Sequence, residues 1–512
     1  MKRRFILLFL CVLPLITIAQ VDELLCQVLD SQTNQPVVFA TILVKTRSVG
    51  VISDDNGNFR LPFRYKTNKD IIRISCIGYK TIEINVASLK DTELNVFKLV
   101  PKIEALDAVT IVAQKNRPAA DRLQAREIIR RAISNIRQNY PTSPHSYIGY
   151  YRDYQLLNKT FFNLNEGIME EFDAGFQTNK IFYKDNQAAL YSFKQNDAFP
   201  KDPLLTQAYD NSSRKFMEAA TLSGFGGNEL SILNIHNAIR HYEKKSFSFA
   251  NVFKEDFIVN HTFLVTDKMY LDDQPIYRIT FFANEDITGV KNSANGVIYV
   301  AYDTYAIHKL EYNGYQFDDP EPFYSVTVEY KPLGDKMYLN YISFFNEFKV
   351  KSANSFKMET IEYDPSTNAF IVKFNNPVDE KTIVKKRRFK FEYYDERLKI
   401  DAVKLITPRR LQISIADRFG EEDLANFKTM TGLEYKIRGV TDLAGRKLDE
   451  LVFLDVDQYR EFFVQQVFTE KTLPEDLIFV SKAEMLKDAK INDDQIDKDT
   501  YWINSPLKTI KD

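Results

Sequence analysis

The sequence has little net charge, few glycines and hardly any long apolar stretch. The first and last of these shortages exclude classes of protein, and the shortage of glycine bears on the type of secondary structure. A formal net charge of −2 over 512 residues gives no bulk attraction to nucleic acid or anionic lipid, since either would require a clustered basic face. Beyond the N-terminus, no stretch is long and apolar enough to cross a membrane as a helix. With only 17 glycines against 28 tyrosines and 39 phenylalanines, the composition favours β-structure.

The N-terminus has the pattern of a secretory signal peptide. Basic residues at positions 2–4 precede an apolar run, Phe5–Ile18, and the small residues Thr17 and Ala19 lie where a signal peptidase reads the chain. The run is shorter than the ~20 residues that span a bilayer. The sequence therefore predicts export to the periplasm or the outer membrane and a mature chain that begins at Gln20.

The three cysteines indicate little redox chemistry. Cys11 lies inside the signal, where cleavage as a lipoprotein is disfavoured because the bulky Leu10 precedes it. Cys26 and Cys76 fall on predicted strands, with their thiols on inward faces. We interpret these two as buried small hydrophobic residues, and a disulfide between them is the alternative that an oxidising compartment permits.

The chain is too long for one hydrophobic core, because single cores stop growing near ~250–300 residues. The predicted division is a signal peptide at 1–19, a β-sandwich at 20–115, a helix and a large antiparallel sheet at 116–352, a second sandwich at 353–456, and a C-terminal segment at 457–512. In that last segment, Arg460–Glu470 is apolar enough to pack back on the body, and the polar tail after it contains the sole tryptophan, Trp502. The fold class expected is therefore mainly β and multi-domain.

The first domain is organised around an Asp-Asn-Gly turn at Asp55–Gly57. Val51 and Ser53 alternate up to this turn, and Phe59 and Leu61 alternate away from it, which is typical of a tight β-hairpin. Two further strands are predicted before the turn, at Leu24–Leu29 and Val38–Lys45.

These strands resemble the carboxypeptidase-regulatory-like domain, a β-sandwich of the transthyretin or Ig-like type. The residues that match its pattern are Asp30, Pro36, Ala40, Gly50, Asp54, Gly57, Phe59, Gly78 and Tyr79. Cys26 stands where the pattern usually has glycine. The resemblance covers the first fifth of the chain and implies a module without catalytic activity.

The middle of the chain begins with a helix and continues as a sheet. Ala119–Asn139 is predicted to be an amphipathic helix, with an apolar stripe at 3.6-residue spacing and five arginines off it. We interpret the arginines as a solvated face, with an anion-binding face as the alternative. From residue 145 to 350 the apolar period is two, which predicts a large antiparallel sheet with hairpin turns at Asp272–Pro275 and at positions 303–304.

The order of elements in this region resembles the lipoprotein-carrier half-barrel. Helices are expected between the two halves of the sheet, at Leu204–Leu222 and Glu229–Glu243, on either side of a loop at Gly224–Gly227. Gly296–Tyr312 and Asn135–Pro141 resemble segments of cell-envelope proteins of the Bacteroidetes type that begin with the same regulatory-like domain. The carrier resemblance implies an acyl or other apolar ligand, whereas the envelope proteins imply no particular chemistry.

Residues 353–456 resemble a bacterial Ig-like domain. Short strands alternate with turns, and Val440–Leu448 is similar to the last hairpin of such domains, with Arg446 in place of the usual asparagine. The basic run Lys385–Arg388 is interpreted as a solvated strand end, and a partner-binding patch is the alternative.

The sequence contains no complete catalytic or metal-binding motif. His308 and Glu311 form an H-x-x-E, but residues three apart on a strand point to opposite faces and cannot share a zinc ion without a bulge, so His308 is interpreted as a packing residue. The other histidines are not spaced as metal ligands: His145, His236, His241 and His261. We therefore expect no catalytic, cofactor-binding or metal-binding residues, no cofactor and no nucleic acid partner.

Two groups of carboxylates are explained by local structure, without a catalytic or metal-binding role. The pairs Glu170–Glu171 and Asp318–Asp319 are typical of strand ends and exposed turns, although paired carboxylates also serve glycosidases. Asp54–Asn56 could bind calcium, but the turn already explains these residue types.

The function expected is that of a non-catalytic binding or assembly protein, a scaffold of a Gram-negative cell envelope whose partner is protein or glycan. The strands mix tyrosine with charge, as in Tyr147–Leu156, which is typical of such an interface. Two alternatives remain: a carrier of an acyl or other apolar ligand in the half-barrel, and a hydrolase with an unrecognised site. The concave face of the Tyr147–Phe348 sheet decides between scaffold and carrier, because a carrier needs that face apolar and open.

Export is tested by the N-terminus of the mature protein. Mass spectrometry of the protein exported by its own cells is expected to find Gln20 as the first residue, in native or cyclised form. A diacylated Cys11 would contradict this prediction and make the protein a lipoprotein.

Overall fold

A computed structural model describes residues 23–105, 119–157, 160–177, 184–210, 213–217, 222, 226–241, 255–317, 319–352, 355–443, 445–450, 453–493, 496–497 and 500–506. The chain divides into two compact units. The first comprises Met1–Ser212, Phe216–Phe348 and Val456–Asp512, and the second comprises Ser213–Lys215 and Lys349–Asp455. The domain border predicted at residue 115 lies outside the described residues, and the borders at 352 and 456 stay predictions.

The first unit begins with two small sheets that face each other, the N-terminal sandwich (residues 23–99). One sheet has the order β4-β1-β7 and the other β3-β2-β5-β6, and only β1 and β7 among these pairs run parallel. Its elements are β1 (Glu23–Asp30), β2 (Thr41–Val44), β3 (Val49–Ile52), β4 (Asn58–Pro62), α1 (Arg64–Thr67), β5 (Ile71–Ser75), β6 (Ile82–Asn85), a 3-10 turn (Val86–Ser88) and β7 (Asn95–Leu99). Leu24, Cys26 and Val28 alternate into its core, as a strand with one buried face requires.

The turn after Asp54 is present, but it does not close a hairpin. Gly57 has a φ of +72°, and its N–H donates to the carbonyl oxygen of Asp54 at 2.9 Å. Any side chain there would also collide with the backbone, because a Cβ would lie 2.4 Å from the Val28 oxygen. The flanking strands β3 and β4 belong to different sheets, so the hairpin prediction was wrong. Alternation around an Asn-Gly turn looks the same whether the chain folds back within one sheet or crosses between two.

The middle of the chain supplies one helical layer and most of a large sheet. Its elements are β8 (Ile103–Ala105), α2 (Ala119–Ser134), α3 (Ile136–Asn139), β9 (His145–Leu157), β10 (Thr160–Asp173), β11 (Gln187–Gln195), β12 (Lys215–Phe216), α4 (Glu229–Ile235), α5 (Glu255–Asn260), β13 (His261–Leu271), β14 (Gln274–Ala283), α6 (Glu285–Thr288), β15 (Asn292–Ala301), β16 (Ile307–Gln316), β17 (Pro322–Leu333) and β18 (Lys336–Lys351). The hairpin turns predicted after Leu271 and after Ala301 join β13 to β14 and β15 to β16.

The second unit is a sandwich of two small sheets, with orders β19-β20-β24-β23 and β22-β21-β25. Phe370, Phe391 and Phe427 are part of its core. Its elements are β19 (Met358–Asp364), β20 (Ala369–Phe374), α7 (Glu380–Ile383), a 3-10 turn (Lys386–Arg388), β21 (Phe389–Tyr393), β22 (Glu396–Arg397), β23 (Ile400–Thr407), β24 (Arg410–Ile415), α8 (Glu421–Lys428) and β25 (Leu433–Ile437). The mainly β, multi-domain fold class is therefore confirmed.

The last strand, β26 (Phe453–Phe468), returns to the first unit. Among the described residues, eleven strands follow one another in the order β11-β10-β9-β26-β18-β17-β16-β15-β14-β13-β8, which we call the central sheet. β26 lies between β9 and β18, so the second unit is inserted in the chain between two neighbouring strands. The sequence predicted only that this segment packs on the body. Both faces of the strand are buried, as at Phe462, Phe463 and Val464, and such strands lack the alternation that identifies a strand.

Two of the three helix predictions need correction. The helix expected at Ala119–Asn139 is present as α2 and α3, with Ile128, Ile129 and Ile136 buried. The described part of Leu204–Leu222 contains no helix. It is an irregular segment in which Leu205, Tyr209 and Leu222 are buried. Helix α4 ends at Ile235, well before the Glu243 predicted, and turns continue to residue 241. An irregular segment that packs on a sheet can bury apolar residues at the same intervals as an amphipathic helix. Its apolar spacing then predicts a helix that does not form.

One face of the central sheet, the sandwich face, packs against the N-terminal sandwich. Ile148, Tyr150 and Phe463 belong to the same hydrophobic core as the strands of the sandwich. The ring of Phe39 stacks on that of Tyr341, with centroids 4.4 Å apart. This face is therefore closed by another layer of the protein rather than open to ligand.

The opposite face, the helix face, is covered by helices and aromatic rings. The ring of His236, at the end of α4, stacks on Phe344 at 3.5 Å, and Phe257 of α5 contacts Phe281 at 5.3 Å. The hydroxyl of Tyr140, which follows α3, donates to the carbonyl oxygen of Ile307 at 2.7 Å. In the described part of the chain, no helix is long and apolar enough to pass through a bilayer.

The C-terminal tail joins the N-terminal sandwich to the central sheet. The indole of Trp502 donates to the carbonyl oxygen of Arg60 at 3.0 Å and contacts the ring of Tyr65 at 5.5 Å. The carbonyl oxygen of Trp502 accepts from Gln465 of β26 at 2.6 Å. The sole tryptophan thus anchors a tail whose composition predicted only a polar segment.

Replacement of Trp502 by alanine tests this anchor. Because the buried indole and its hydrogen bond are lost, Trp502→Ala is expected to lower the free energy of unfolding by about 3 kcal/mol. Ile478→Ala, at a tail residue that is 47% exposed, is the control and should change it by less than about 0.5 kcal/mol. Equal urea midpoints for the two variants would contradict the anchoring role.

Candidate functional site

The histidine and glutamate of the H-x-x-E motif do not converge. The carboxylate of Glu311 lies 2.6 Å from the amine of Lys309. His308 is buried, and burial is what lowers the pKa of its imidazole to about 4. A bulge does occur at His308, because Tyr299 pairs with Lys309 while Val300 pairs with Ile307. The bulge therefore re-aims the histidine without bringing the glutamate to it.

Three of the other histidines have structural partners. The ring nitrogens of His145 lie 3.0 Å from the Ser143 carbonyl oxygen and 2.8 Å from the Tyr147 hydroxyl. Those of His261 lie 2.8 Å from the Phe257 carbonyl oxygen and 3.0 Å from the Tyr312 hydroxyl. Nδ1 of His236 lies 2.6 Å from the carbonyl oxygen of Ile232. Within the described residues, no three metal-ligating side chains come together.

The two carboxylates of the pair Glu170–Glu171 lie on opposite faces of the sheet. Glu170 is buried, and its carboxylate accepts from Tyr191 and Lys471, each at 2.6 Å. Glu171 points away from it and accepts from Asn234 at 3.1 Å. Asp318 lies outside the described residues, and Asp319 caps its own turn by accepting from the Glu321 N–H. The two glutamates therefore do not act as one acid–base pair.

The turn, the cysteines and the basic segments also have local explanations. Asp54 accepts from the backbone N–H of Asn56 at 2.9 Å and of Asn58 at 2.8 Å. Aspartate side chains commonly stabilise turns by such hydrogen bonds to the backbone. The thiols of Cys26 and Cys76 are both free, and burial raises the pKa of each to about 12. Glu127 pairs with two arginines of α2, Arg130 and Arg131, each at 3.0 Å. The side chains of Lys385–Arg387 stay exposed, as predicted for a solvated segment.

A polar cavity on the helix face contains the functional groups that sequence reasoning missed. It has a volume of about 280 Å³ and lies between the ends of β9, β10 and β11, the start of α4 and the C-terminal tail. Its lining is rich in amides and carboxyl groups: Asp153, Gln155, Asn163, Asn165, Phe193, Gln195, Lys201, Pro203, Thr206, Gly227, Glu229, Met485, Leu486 and Lys487. We call it the Asp153 cavity.

Asp153 is the most perturbed group of this cavity. Its carboxylate accepts from the Tyr151 hydroxyl and from the Asn165 amide, both at 3.0 Å. Burial, helped by the nearby charge of Glu229, raises the pKa of Asp153 to about 7. Near neutral pH this carboxyl group therefore exchanges between a form that donates a hydrogen bond and one that only accepts.

The second carboxylate, Glu229, is fixed by a buried arginine. The guanidinium of Arg460 donates to Glu229 and to the Asn346 side chain, each at 2.5 Å, and to the Tyr209 hydroxyl at 3.0 Å. Arg460 is completely buried, so protein groups such as these stabilise its charge in place of water. The network holds the first turn of α4 against β26 and sets one wall of the cavity.

The amides of the cavity are also held in place. Gln155 donates to Gln458 at 2.7 Å and accepts from Asn163 at 2.9 Å. Asn163 has a φ of +50°, and its amide also donates to the carbonyl oxygen of Asp202 at 2.9 Å. Such preorganised amides and carboxyl groups suit a ligand with many hydroxyl groups, whose hydrogen bonds need both donors and acceptors.

A smaller cavity of about 80 Å³ lies beside it, around Glu171 and the ion pair between Asp173 and Arg240. The Arg240 guanidinium donates to both oxygens of Asp173, at 2.6 and 2.8 Å. Burial raises the pKa of Glu171 to about 7. This cavity is too small for more than a few water molecules.

The combination of tyrosines and charged residues in Tyr147–Leu156 predicted an exposed interface. That prediction was wrong, because these residues belong to the buried networks. Tyr151, Arg152 and Asp153 are each at most 3% exposed. The Tyr151 hydroxyl donates to Asp153, and Nε of Arg152 donates to Glu461. A charge in the middle of an aromatic strand can belong to an exposed interface or to a buried ion pair. Only the partner distinguishes them, and the partner of Arg152, Glu461, lies 309 residues away.

Comparison with known proteins finds a family match at the N-terminus. Residues 26–111 match the CarboxypepD_reg-like domain family. Over 85 residues the chain is 35% identical to the TonB-dependent receptor SusC of Bacteroides thetaiotaomicron, a stretch that is 17% of this chain and 8% of that receptor. The chain thus spans only a small part of the length of this relative.

Two solved structures resemble part of the chain. A LolA superfamily protein from Nitrosomonas europaea has a TM-score of 0.19 and 10% identity, over 43% of this chain and 84% of that one. A DUF1329 family protein from Desulfovibrio piger has a TM-score of 0.20 and 8% identity, over 44% and 85%. At these scores neither carries an argument about function. The chain therefore contains a CarboxypepD_reg-like domain at residues 26–111, and a large antiparallel sheet follows it.

Proposed function

We propose that the protein is a non-catalytic binding protein of the cell envelope, exported to the periplasm or the outer membrane, with an envelope glycan as its ligand. The N-terminal signal pattern and the regulatory-like domain at 26–111 support the compartment. The similarity to a TonB-dependent receptor over 85 residues supports it further. Neither of these matches brings a catalytic residue with it.

The observation that carries the proposal is that both faces of the central sheet are occupied. A carrier of acyl chains needs a contiguous apolar surface that is free to receive them. Here Tyr341 and Phe463 pack on the N-terminal sandwich, and Phe344 and Phe281 are covered by helical residues. The carrier alternative is therefore disfavoured, although the sheet order alone suited it.

The chemistry of the Asp153 cavity favours a neutral, hydroxyl-rich ligand. Amides at 155, 163 and 165 offer donors and acceptors, and Phe193 offers a ring edge or face for C–H groups. Glu229 is paired with Arg460, and the lining combines Asp153 with Lys201 and Lys487, so neither sign of charge dominates the cavity. We assign glycan binding to this cavity.

The proposal predicts a pH dependence of glycan binding. A ligand hydroxyl bonds more strongly to an ionised carboxylate than to a neutral acid. Affinity for neutral oligosaccharides, such as chitotetraose and maltotetraose, should therefore rise between about pH 6 and pH 8, as Asp153 ionises. Asp153→Asn should abolish this rise and lower the affinity at pH 8 about tenfold, measured by titration calorimetry.

The matched control is Glu171→Gln, which removes another buried carboxyl with a pKa of about 7 outside the cavity. Its binding should keep the pH dependence of the unmodified protein. Equal effects of the two substitutions would reject the Asp153 cavity as the site. Stoichiometric acyl chains in an organic extract of the native protein would instead favour the carrier, and a stable protein complex without glycan would favour an assembly factor.

A further inference from the structure

Three segments of the second unit are bonded to one another and form one surface. The Val378 N–H donates to the carbonyl oxygen of Pro408 at 2.7 Å. The Asp379 N–H donates to the carbonyl oxygen of Thr441 at 2.9 Å. These bonds join the segments 376–388, 405–410 and 438–447, and we call their exposed side the basic surface.

The basic surface contains far more positive than negative charge. Ten basic and three acidic residues fall in its segments, although the whole chain has a net charge of −2. Two of the three acids are already engaged. Asp379 accepts from the backbone N–H of Lys381 at 3.0 Å, and the buried Asp442 pairs with Arg446 at 2.7 Å. The excess of positive charge is therefore not cancelled within the surface.

Seven of its basic side chains are available to a partner. They are exposed, and within the described ranges of the chain none of them forms an ion pair: Lys381, Lys385, Lys386, Arg387, Arg409, Arg410 and Arg438. Two exposed acids lie among them, Glu380 and Asp401. Exposure of Lys385–Arg387 alone fits a solvated segment, but charge gathered from two further segments is what a binding patch for an anionic partner requires.

Large apolar side chains are exposed on the same three segments. Val384 is 74% exposed, Leu443 is 72% exposed and Ile406 is 46% exposed. Val384 directly precedes the run Lys385–Arg387. Single exposed apolar residues are common on protein surfaces, but three of them among seven unpaired bases are not explained by chance exposure alone. Apolar side chains beside lysine and arginine are typical of surfaces that lie on an anionic bilayer.

The lipid surface fits this combination better than a soluble polyanion does. A polyanion would pair with the bases, but it would leave Val384 and Leu443 in water. An anionic bilayer offers phosphate groups to the bases and an apolar layer to the valine and the leucine. Both features of the surface are then used by one partner.

Another exposed apolar pair lacks the basic surroundings. Val290 is 75% exposed and Phe317 is 72% exposed, and the Phe317 N–H donates to the carbonyl oxygen of Lys291 at 2.7 Å, so the two lie on neighbouring loops. Four exposed acids belong to the same loops: Glu285, Asp286, Asp319 and Glu321. An anionic bilayer would repel this pair, which makes it a matched control.

We propose that the basic surface docks the protein on an anionic lipid bilayer, with its lysines and arginines against the phosphate groups and with Val384 and Leu443 at the bilayer interface. This docking does not depend on the glycan proposed for the Asp153 cavity.

The test is flotation of the full mature chain with vesicles. The protein should bind vesicles of phosphatidylcholine with 30% phosphatidylglycerol, and it should bind vesicles of pure phosphatidylcholine at least about tenfold more weakly. An increase in NaCl from 50 to 300 mM should weaken binding to the anionic vesicles by a similar factor. Asp153→Asn should leave this binding unchanged.

Two charge-reversed variants test the bases. Lys385→Glu, Lys386→Glu and Arg387→Glu together, and Arg409→Glu with Arg410→Glu, should each weaken binding to anionic vesicles at least about tenfold. Because the replaced side chains are exposed, the melting temperature should change little. The second variant keeps the test valid if the first one fails to fold.

Two apolar variants distinguish a bilayer from a polyanion. Val384→Ser with Leu443→Ser should weaken vesicle binding about tenfold, and Val290→Ser with Phe317→Ser should leave it unchanged. The proposal is overturned if anionic vesicles do not bind, or if either charge-reversed variant that folds binds them as well as the unmodified protein. It is also overturned if Val384→Ser with Leu443→Ser has no effect while heparin binds the basic surface, because the partner would then be a soluble polyanion.

Discussion

The structure depends on two buried charges at consecutive positions of one strand. Arg460 and Glu461 lie in the middle of β26 and point to opposite faces of the central sheet. Arg460 bonds to Glu229 of α4 on the helix face, and Glu461 pairs with Arg152 and accepts from Tyr341 on the sandwich face. A shift of β26 by one residue would exchange the two faces and leave both charges buried without partners, at a cost of several kcal/mol. The pairs therefore specify the register of the strand that closes the sheet.

The closed sheet explains where ligand sites remain. With the N-terminal sandwich on one face and helices on the other, both faces of the central sheet are occupied by the protein's own aromatic residues. Space is left at the ends of the strands, in the Asp153 cavity and in a second cavity of about 290 Å³ that His308 lines. The Asp153 cavity contains an acid that titrates near neutral pH, whereas burial keeps the histidine of the second cavity neutral.

Turn residues in the sequence were reliable, whereas distant pairings and two of the three helix predictions were not. The turn at Gly57, the helix at Ala119 and the hairpin turns of β13–β16 follow from residue types and spacing alone. The separation of β3 and β4 into two sheets does not, because β3 pairs with the preceding strand β2 whereas β4 pairs with β1 at the start of the domain. The position of β26 was missed for the same reason, since the strands beside it begin about a hundred or three hundred residues earlier.

The candidate sites were missed for a related reason. Nothing in the neighbours of Asp153 shows that Glu229 lies near it, and the bulge at His308 is a property of the pairing between β15 and β16 rather than of either strand. From the sequence, His308 and Glu311 could share one face of the strand only if a bulge occurred, so the interpretation of His308 as a packing residue depended on the absence of a bulge. The sequence also showed that charge and tyrosine alternate in Tyr147–Leu156, without showing whether that surface was exposed.

Hydrogen exchange of the backbone amides of β26 shows whether the two buried ion pairs fix this strand in the sheet. If the two buried ion pairs fix this strand between β9 and β18, its amides should exchange as slowly as those of both neighbours, and only through global unfolding. Amides of β26 that exchange as fast as those of the edge strand β11, while β9 and β18 stay protected, would contradict the account, because the last strand would then be an addition to a sheet that is stable without it.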